Sequence, residues 1–152
     1  AAAVSSDCDI TEKTKEEFMK VLEVNLVGTF LICKEALNMM KNGVIVNISS
    51  TNASTTYNPI SLDYDASKAG VENLTKNLAL RYPKVKICAL APNWVATESV
   101  LEMSPIYLDS ELKRVNQKRL LTKEEVANKI IEIISDNEIK SGEIISMEDI
   151  YE

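Results

Sequence analysis

Tyr64 and Lys68 stand four residues apart in the segment Tyr64-Asp65-Ala66-Ser67-Lys68. Residues i and i+4 share one face of a helix, so the phenol and the ammonium can point into the same crevice. A free tyrosine titrates near ~10, too high for a good base at neutral pH. A cation held about 4 Å away is worth roughly 4 kcal/mol at an effective dielectric of 20, or about three pKa units. The pair therefore predicts a tyrosine that Lys68 makes usable as proton donor and acceptor. Other proton chemistries are closed to this chain. It contains no histidine, which excludes Ser-His-Asp and Cys-His hydrolases, HExxH metalloproteases and His-ligated zinc. Its four glycines, Gly28, Gly43, Gly70 and Gly142, are scattered. A P-loop or a GxGxxG turn needs them clustered, so neither is present.

Positioning such a pair requires a helix beside the ends of strands. Thr14-Lys15-Glu16-Glu17 reads as a capping box. It opens a helix over 15–41 whose apolar stripe is Phe18, Leu22, Leu26, Phe30, Cys33, Leu37 and Met40, with Gly43 supplying a left-handed C-cap. Val44 to Ile48 reads as a buried strand ending in Ser49-Ser50-Thr51. A hydroxyl-rich loop over 50–62 leads to a helix over 63–81, which ends before Pro83. Val85 to Ala91 is the next strand, followed by Pro92-Asn93-Trp94-Val95-Ala96-Thr97. Residues 92–121 read as a long loop with a short helix near 108–118. Thr122-Lys123-Glu124-Glu125 is a second capping box, opening a helix to Ser135, and Gly142 precedes a strand from Glu143 to Met147. Strands alternating with long helices predict an α/β architecture, with a parallel sheet covered on both faces. Sites in such sheets lie at the carboxyl ends of the strands, where Ser50, Tyr64 and Pro92–Thr97 all fall. No linker or repeat divides residues 1–152, which read as one domain or a contiguous part of one.

These residues together resemble the short-chain dehydrogenase/reductase family. Val44-Ile45-Val46-Asn47-Ile48-Ser49-Ser50 is similar to that family's catalytic-serine strand, with Ser50 at nearly the family's distance from the tyrosine. Tyr64-Asp65-Ala66-Ser67-Lys68-Ala69-Gly70-Val71 is similar to its YxASKAxV helix start. Asn25-Leu26 followed by Gly28-Thr29-Phe30, the 92–97 segment, Arg119 to Ala127, and Ser141-Gly142-Glu143-Ile144 follow in family order. The resemblance covers essentially the whole chain. It implies the C-terminal two-thirds of a Rossmann-like, doubly wound, three-layer sheet. It implies an NAD(P)-dependent oxidoreductase that interconverts a small or acyl-type ketone and a secondary alcohol. Tyr64 would exchange the proton. Lys68 would lower the phenol's pKa and bond the nicotinamide ribose. Ser50 would hold the substrate oxygen, and Asn25 a water of a proton relay. Pro92, Asn93, Val95 and Thr97 would hold the nicotinamide of NAD or NADP. No metal is required. Ser99, Leu101, Met103, Ile106 and Tyr107, on a substrate lid over 98–121, would line an apolar pocket.

The chain departs from the family pattern in three places. Asn93 stands where glycine is usual, and asparagine is the least costly substitute if that position needs a positive φ. Met147-Glu148-Asp149-Ile150 lacks a Gly-Gly pair. No glycine-rich phosphate turn occurs, and Ala1-Ala2-Ala3-Val4 resembles the end of the strand that lies beyond that turn. The family's N-terminal cofactor-binding third is therefore expected to be absent, leaving this segment inactive alone. A net charge of −6 disfavours nucleic acid and anionic membranes as partners. Cys8, Cys33 and Cys88 show neither metal nor disulfide spacing, which with the average composition predicts a cytoplasmic protein with reduced thiols. No stretch is long enough to span a bilayer, and no signal peptide is visible. Family resemblance implies a homodimer or homotetramer packed through the helices 15–41 and 63–81. A different class of reading is a non-catalytic assembly or interaction subunit that keeps the fold. Asn52 and Asp63 have no assigned role in either reading.

Overall fold

Val85–Ala91 is apolar apart from Lys86, the pattern of a strand covered on both faces. In the computed structural model, which describes residues 3–147, it is the central strand of a parallel sheet. The order is β1 (Gly43–Ile48), β2 (Val85–Ala91) and β3 (Ile144–Ser146). Gly43 pairs with Val85 and Ile48 with Leu90 along β1 and β2, and Ala89 pairs with Ile144 along β2 and β3. Parallel neighbours need crossovers, supplied by α3 (Leu62–Arg81) and α6 (Lys123–Ser135).

Side chains alternate across a strand, and here that alternation makes two cores. Val85 and Ile87 face one way and pack with Ala79, Leu78, Leu37, Met40 and Ile45. Cys88 and Leu90 face the other way and pack with Ile133, Leu121 and Met147. The expected α/β architecture, helices on both faces of a parallel sheet, is the one observed.

Both capping boxes form. Thr14 Oγ1 accepts from Glu17 N at 3.2 Å while Glu17 Oε2 accepts from Thr14 N at 3.0 Å. Thr122 and Glu125 repeat the exchange at 3.1 and 2.7 Å. The single helix expected over 15–41 is α1 (Lys15–Leu22), a π turn (Glu23–Val27) and α2 (Gly28–Met39) in succession. The inward positions are Val21, Asn25 and Cys33. Over those twelve residues an α-helix drifts by about 120°, and one extra residue in a π turn takes up roughly 100° of it. The expected stripe is corrected accordingly, with Phe30 44% exposed. Gly70 of α3 serves the same contact, because a Cβ there would lie 2.7 Å from Leu26 Cδ2.

Other boundaries differ from expectation for local reasons. Gly43 is not a helix cap. α2 ends on Met40 in an extended conformation, and Gly43, at φ 135°, starts β1. The helix expected near 108–118 is α5 (Pro105–Arg114), preceded by α4 (Glu98–Leu101). Pro105 opens α5 at its first turn, where its missing N–H costs nothing. β3 is shorter than the expected 143–147. Ala1, Ala2 and Glu148-Asp149-Ile150 lie outside the described residues.

Candidate functional site

The carboxyl ends of β1 and β2 stay paired beyond the strands. Ser49 N donates to Leu90 O at 2.7 Å and Thr51 N to Pro92 O at 3.2 Å. This sets Ser50 beside Pro92, at the mouth of a cavity of about 550 Å³. Ser50, Tyr64, Lys68, Pro92, Asn93, Val95 and Thr97 all line it, so seven of the eight sequence-predicted site residues converge there.

α3 delivers Tyr64 and Lys68 from its first two turns. Lys68 is 4% exposed. Its Nζ donates to Ile48 O at 2.9 Å and lies 5.5 Å from the centroid of the Tyr64 ring. Ser49 Oγ sits 3.3 Å from Lys68 O and 3.0 Å from Glu72 Oε1, which ties that turn of α3 to the end of β1. Burial lowers the Lys68 pKa from 10.5 to about 8. Burial also raises the Tyr64 pKa, opposed by a hydrogen bond from Ser50 and reinforced by the Asp65 charge. That direction is opposite to the one predicted from the Tyr64–Lys68 spacing. The ammonium sits near the ring and bonds a carbonyl, so removal from water outweighs it. What the geometry supplies is Ser50 and Tyr64 on one cavity with an ammonium beside the ring.

Asn25 is not among the cavity-lining residues. It is 1% exposed. Its Nδ2 donates to Val4 O at 2.9 Å and to Ser67 Oγ at 3.0 Å, and its Oδ1 accepts from Val4 N at 2.9 Å. Ser67 Oγ in turn donates to Tyr64 O at 2.7 Å. The amide thus links the Val4 segment, a wall of the cavity, to the helical turn that carries Tyr64.

The opposite wall is 92–97. Asn93 does not take a positive φ. It turns its Oδ1 onto Trp94 N at 3.1 Å, so the conformational reason for asparagine there is set aside. Val95 forms a parallel bridge with Leu121, and Thr97 caps α4 by accepting from Val100 N at 3.4 Å. Of the expected lid residues, Ser99 and Met103 line the cavity. Leu101 and Ile106 instead face solvent at 63% and 83% exposure, and Tyr107 is not among the cavity-lining residues.

Polar residues without an assigned sequence role frame the site. Asp65 Oδ1 accepts from Asn52 Nδ2 at 2.9 Å and its Oδ2 from Asn58 N at 2.8 Å, which holds the 51–58 loop against α3. Asp63 accepts Lys13 Nζ at 2.8 Å, both side chains almost fully buried. Asp63 Oδ1 also accepts from Tyr64 N at 2.8 Å. Spacing gives no hint of the Lys13–Asp63 pair, because its members are 50 residues apart. Among the described residues no group of three or more Cys, Asp or Glu is placed to hold a metal ion. Among them also, no helix is long and apolar enough to cross a membrane.

Residues 1–148 match the family model described as enoyl-(acyl carrier protein) reductase. The chain is 37% identical over 123 residues to glucose 1-dehydrogenase 2 of Bacillus subtilis (strain 168), covering 76% of this chain and 47% of that protein. It is 30% identical over 153 residues to a 3-oxoacyl-(acyl carrier protein) reductase of Thermotoga maritima, covering 97% and 62%. A crystal structure of 3-oxoacyl-(acyl carrier protein) reductase from Brucella melitensis superposes with a TM-score of 0.88 at 28% identity, over 97% of this chain and 59% of that one. The chain thus spans about half to three-fifths of the length of these relatives.

Proposed function

The chain belongs to the short-chain dehydrogenase/reductase family, and from that premise we propose that it carries the catalytic and nicotinamide side of an NAD(P)-dependent oxidoreductase acting on a ketone or secondary alcohol. The observation that carries this reading is the convergence of Ser50, Tyr64 and the buried Lys68 on one cavity, with the ammonium 5.5 Å from the centroid of the Tyr64 ring. The wall from Pro92 to Thr97 fits the flat end of a nicotinamide nucleotide. Pro92, Asn93, Trp94, Val95 and Thr97 line the cavity together with Tyr64 and Lys68. A cradle for the pyrophosphate would come from residues beyond these 152, since the chain has no clustered glycines.

When bound, the nicotinamide supplies or accepts the hydride. The protein's own part is proton handling and orientation. Tyr64 Oη gives its proton to the carbonyl oxygen in reduction, or takes one from the alcohol in oxidation. Ser50 Oγ bonds the same oxygen and stabilises the charge that develops there. Lys68 Nζ holds positive charge behind the phenol and is within reach of a nucleotide ribose. Asn25 acts through Ser67 on the turn that bears Tyr64. Two helices expected at an oligomer interface do expose apolar residues, Leu31 at 48% and Ile32 at 74% on α2 and Leu80 at 84% on α3. This supports a dimer or tetramer packed through them. A cytoplasmic location fits the free thiols of Cys8, Cys33 and Cys88.

The test is nicotinamide absorbance with ketones and secondary alcohols in a full-length, cofactor-competent enzyme. Tyr64→Phe should lower turnover about 100- to 10,000-fold, the usual worth of a positioned acid/base group, while cofactor binding persists. Full turnover in Tyr64→Phe would remove the assigned mechanism. The absence of any nucleotide binding would favour the assembly-subunit reading.

A further inference from the structure

α5 ends with Asn116 N donating to Lys113 O at 3.1 Å and Gln117 N donating to Leu112 O at 2.8 Å. These 5→2 and 6→1 bonds form a Schellman motif. Its left-handed position is Asn116, φ 54°, the one non-glycine residue of positive φ among those described. Asparagine tolerates that conformation better than most side chains. The reversal sends the next side chain inward, and Gln117 is 4% exposed.

Both ends of the Gln117 carboxamide are used, and both reach the main chain of one residue. Its Oε1 accepts from Trp94 N at 3.0 Å. Its Nε2 donates to Trp94 O at 2.8 Å and to Arg119 O at 2.7 Å. The side chain therefore pairs with Trp94 as a neighbouring strand would. The backbone continues the pattern, with Leu121 N donating to Trp94 O at 2.9 Å and Ala96 N to Leu121 O at 2.8 Å. Trp94 lies in the middle of the 92–97 wall. Burying an amide is costly unless its bonds are made, and an apolar residue would fill the same space without that cost.

We propose that Gln117 is a positioning residue that fixes the Trp94 peptide. It locks the 92–97 wall to the end of α5, so the end of that helix and the cavity wall hold one register. This structural claim stands by itself; its consequence for nicotinamide binding rests on the function proposed above.

Trp94 is the sole tryptophan of the sequence, so its fluorescence reports on this wall without ambiguity. In the 152-residue chain, Gln117→Leu keeps the side chain's bulk and removes its amide. The Trp94 backbone amide should then exchange with solvent about tenfold faster, the factor expected for one lost hydrogen bond. Asn93 Oδ1 still faces that N–H, which limits the effect to this size. Acrylamide quenching of Trp94 should rise as well, while the amides of Ile87 and Leu90 in β2 exchange as before. Gln117→Glu, which keeps the acceptor and loses both donors, should fall between the two. In the unaltered protein the Gln117 carboxamide protons should be protected, a reading that needs no variant and holds even if Gln117→Leu does not fold. In a cofactor-competent enzyme, Gln117→Leu should raise KM for the nicotinamide nucleotide about tenfold and lower kcat by much less. Unchanged Trp94 exchange and quenching in a folded Gln117→Leu chain would overturn the proposal, as would unprotected Gln117 carboxamide protons. A missing KM effect beside an active Tyr64→Phe enzyme would instead count against the functional reading, leaving the exchange result to judge Gln117.

Discussion

Lys68→Met removes a buried charge while keeping an unbranched chain of similar length. The wild-type ammonium is 4% exposed, and burial brings its pKa from 10.5 to about 8. At about 1.36 kcal/mol per unit, holding it inside costs on the order of 3 kcal/mol at neutral pH. The folded pKa is the lower one. Between about pH 8 and 10.5 the unfolded chain therefore binds more protons, and this contribution raises stability with pH across that window. Below about pH 8 both states are protonated and the full cost is present. Methionine binds no proton, so its advantage over the wild type should be largest at neutral pH. That advantage should shrink by about 3 kcal/mol toward pH 10.5. The lost bond to Ile48 O costs the variant about 1 kcal/mol at every pH, leaving a net gain of about 2 kcal/mol at pH 7. Urea unfolding followed by circular dichroism, run on both proteins across this range, gives the difference directly. Tyr64, Cys33 and Cys88, whose pKa values burial raises, are present in both proteins and largely cancel. A stability difference that stays constant from pH 7 to 10 would refute the reasoning, because it would mean Lys68 titrates alike in both states. The same variant should be inactive, so that stability and turnover move in opposite directions.

Lys13→Met leaves the Asp63 carboxylate fully buried without its partner. The chain should lose about 3–5 kcal/mol, read from urea midpoints, and the double change Lys13→Met with Asp63→Leu should recover most of it. A single variant as stable as wild type would show that water reaches Asp63. Asn25→Ala strands the N–H and C=O of Val4 and removes the donor to Ser67 Oγ, which keeps its own bond to Tyr64 O. About 2–3 kcal/mol should be lost, with Val4 amide exchange accelerated well beyond that of β2. Equal acceleration of both would mean the whole fold loosened, and would argue against a local clamp.

What could be seen in the sequence was what local chemistry determines. Thr14 with Glu17 and Thr122 with Glu125 announce helix starts because each box closes within four residues. Val85–Ala91 announces a doubly covered strand because both faces need apolar groups. Tyr64 and Lys68 announce a shared face because the helix period brings them together. The missed features depend on backbone geometry or on distant partners. The π turn hides Asn25 from the 3.6-residue pattern, so Phe30 drops out of the expected inward stripe while Cys33 stays in it. Asn93 and Asn116 look equally able to take a left-handed conformation, and only the helix end at Asn116 demands it. Gln117 bonds the main chain of Trp94, a contact that any residue at position 94 would satisfy, so no residue type there could betray it. Lys13 and Asp63 meet only after the chain has folded around α3.

These features bear on whether the cavity is a working site or a relic of the fold. Lys68 is held at an energetic cost that packing alone does not require. The Lys13–Asp63 pair is a buried ion pair that apolar residues of like size could replace, often without loss of stability, and the Gln117 amide is buried to serve the main chain of one residue. Each of them grips a segment bordering the cavity. Lys13 donates to Ser6 O and Asp63, beside Val4 and before Tyr64. Lys68 holds the end of β1 before Ser50, and Gln117 holds Trp94. A subunit kept only for assembly would be free to trade the Lys68 charge and the Lys13–Asp63 pair for hydrocarbon, and stabilising changes are easy to find. That these buried polar grips all fall on segments bordering one cavity favours chemistry at Tyr64 over a purely structural role.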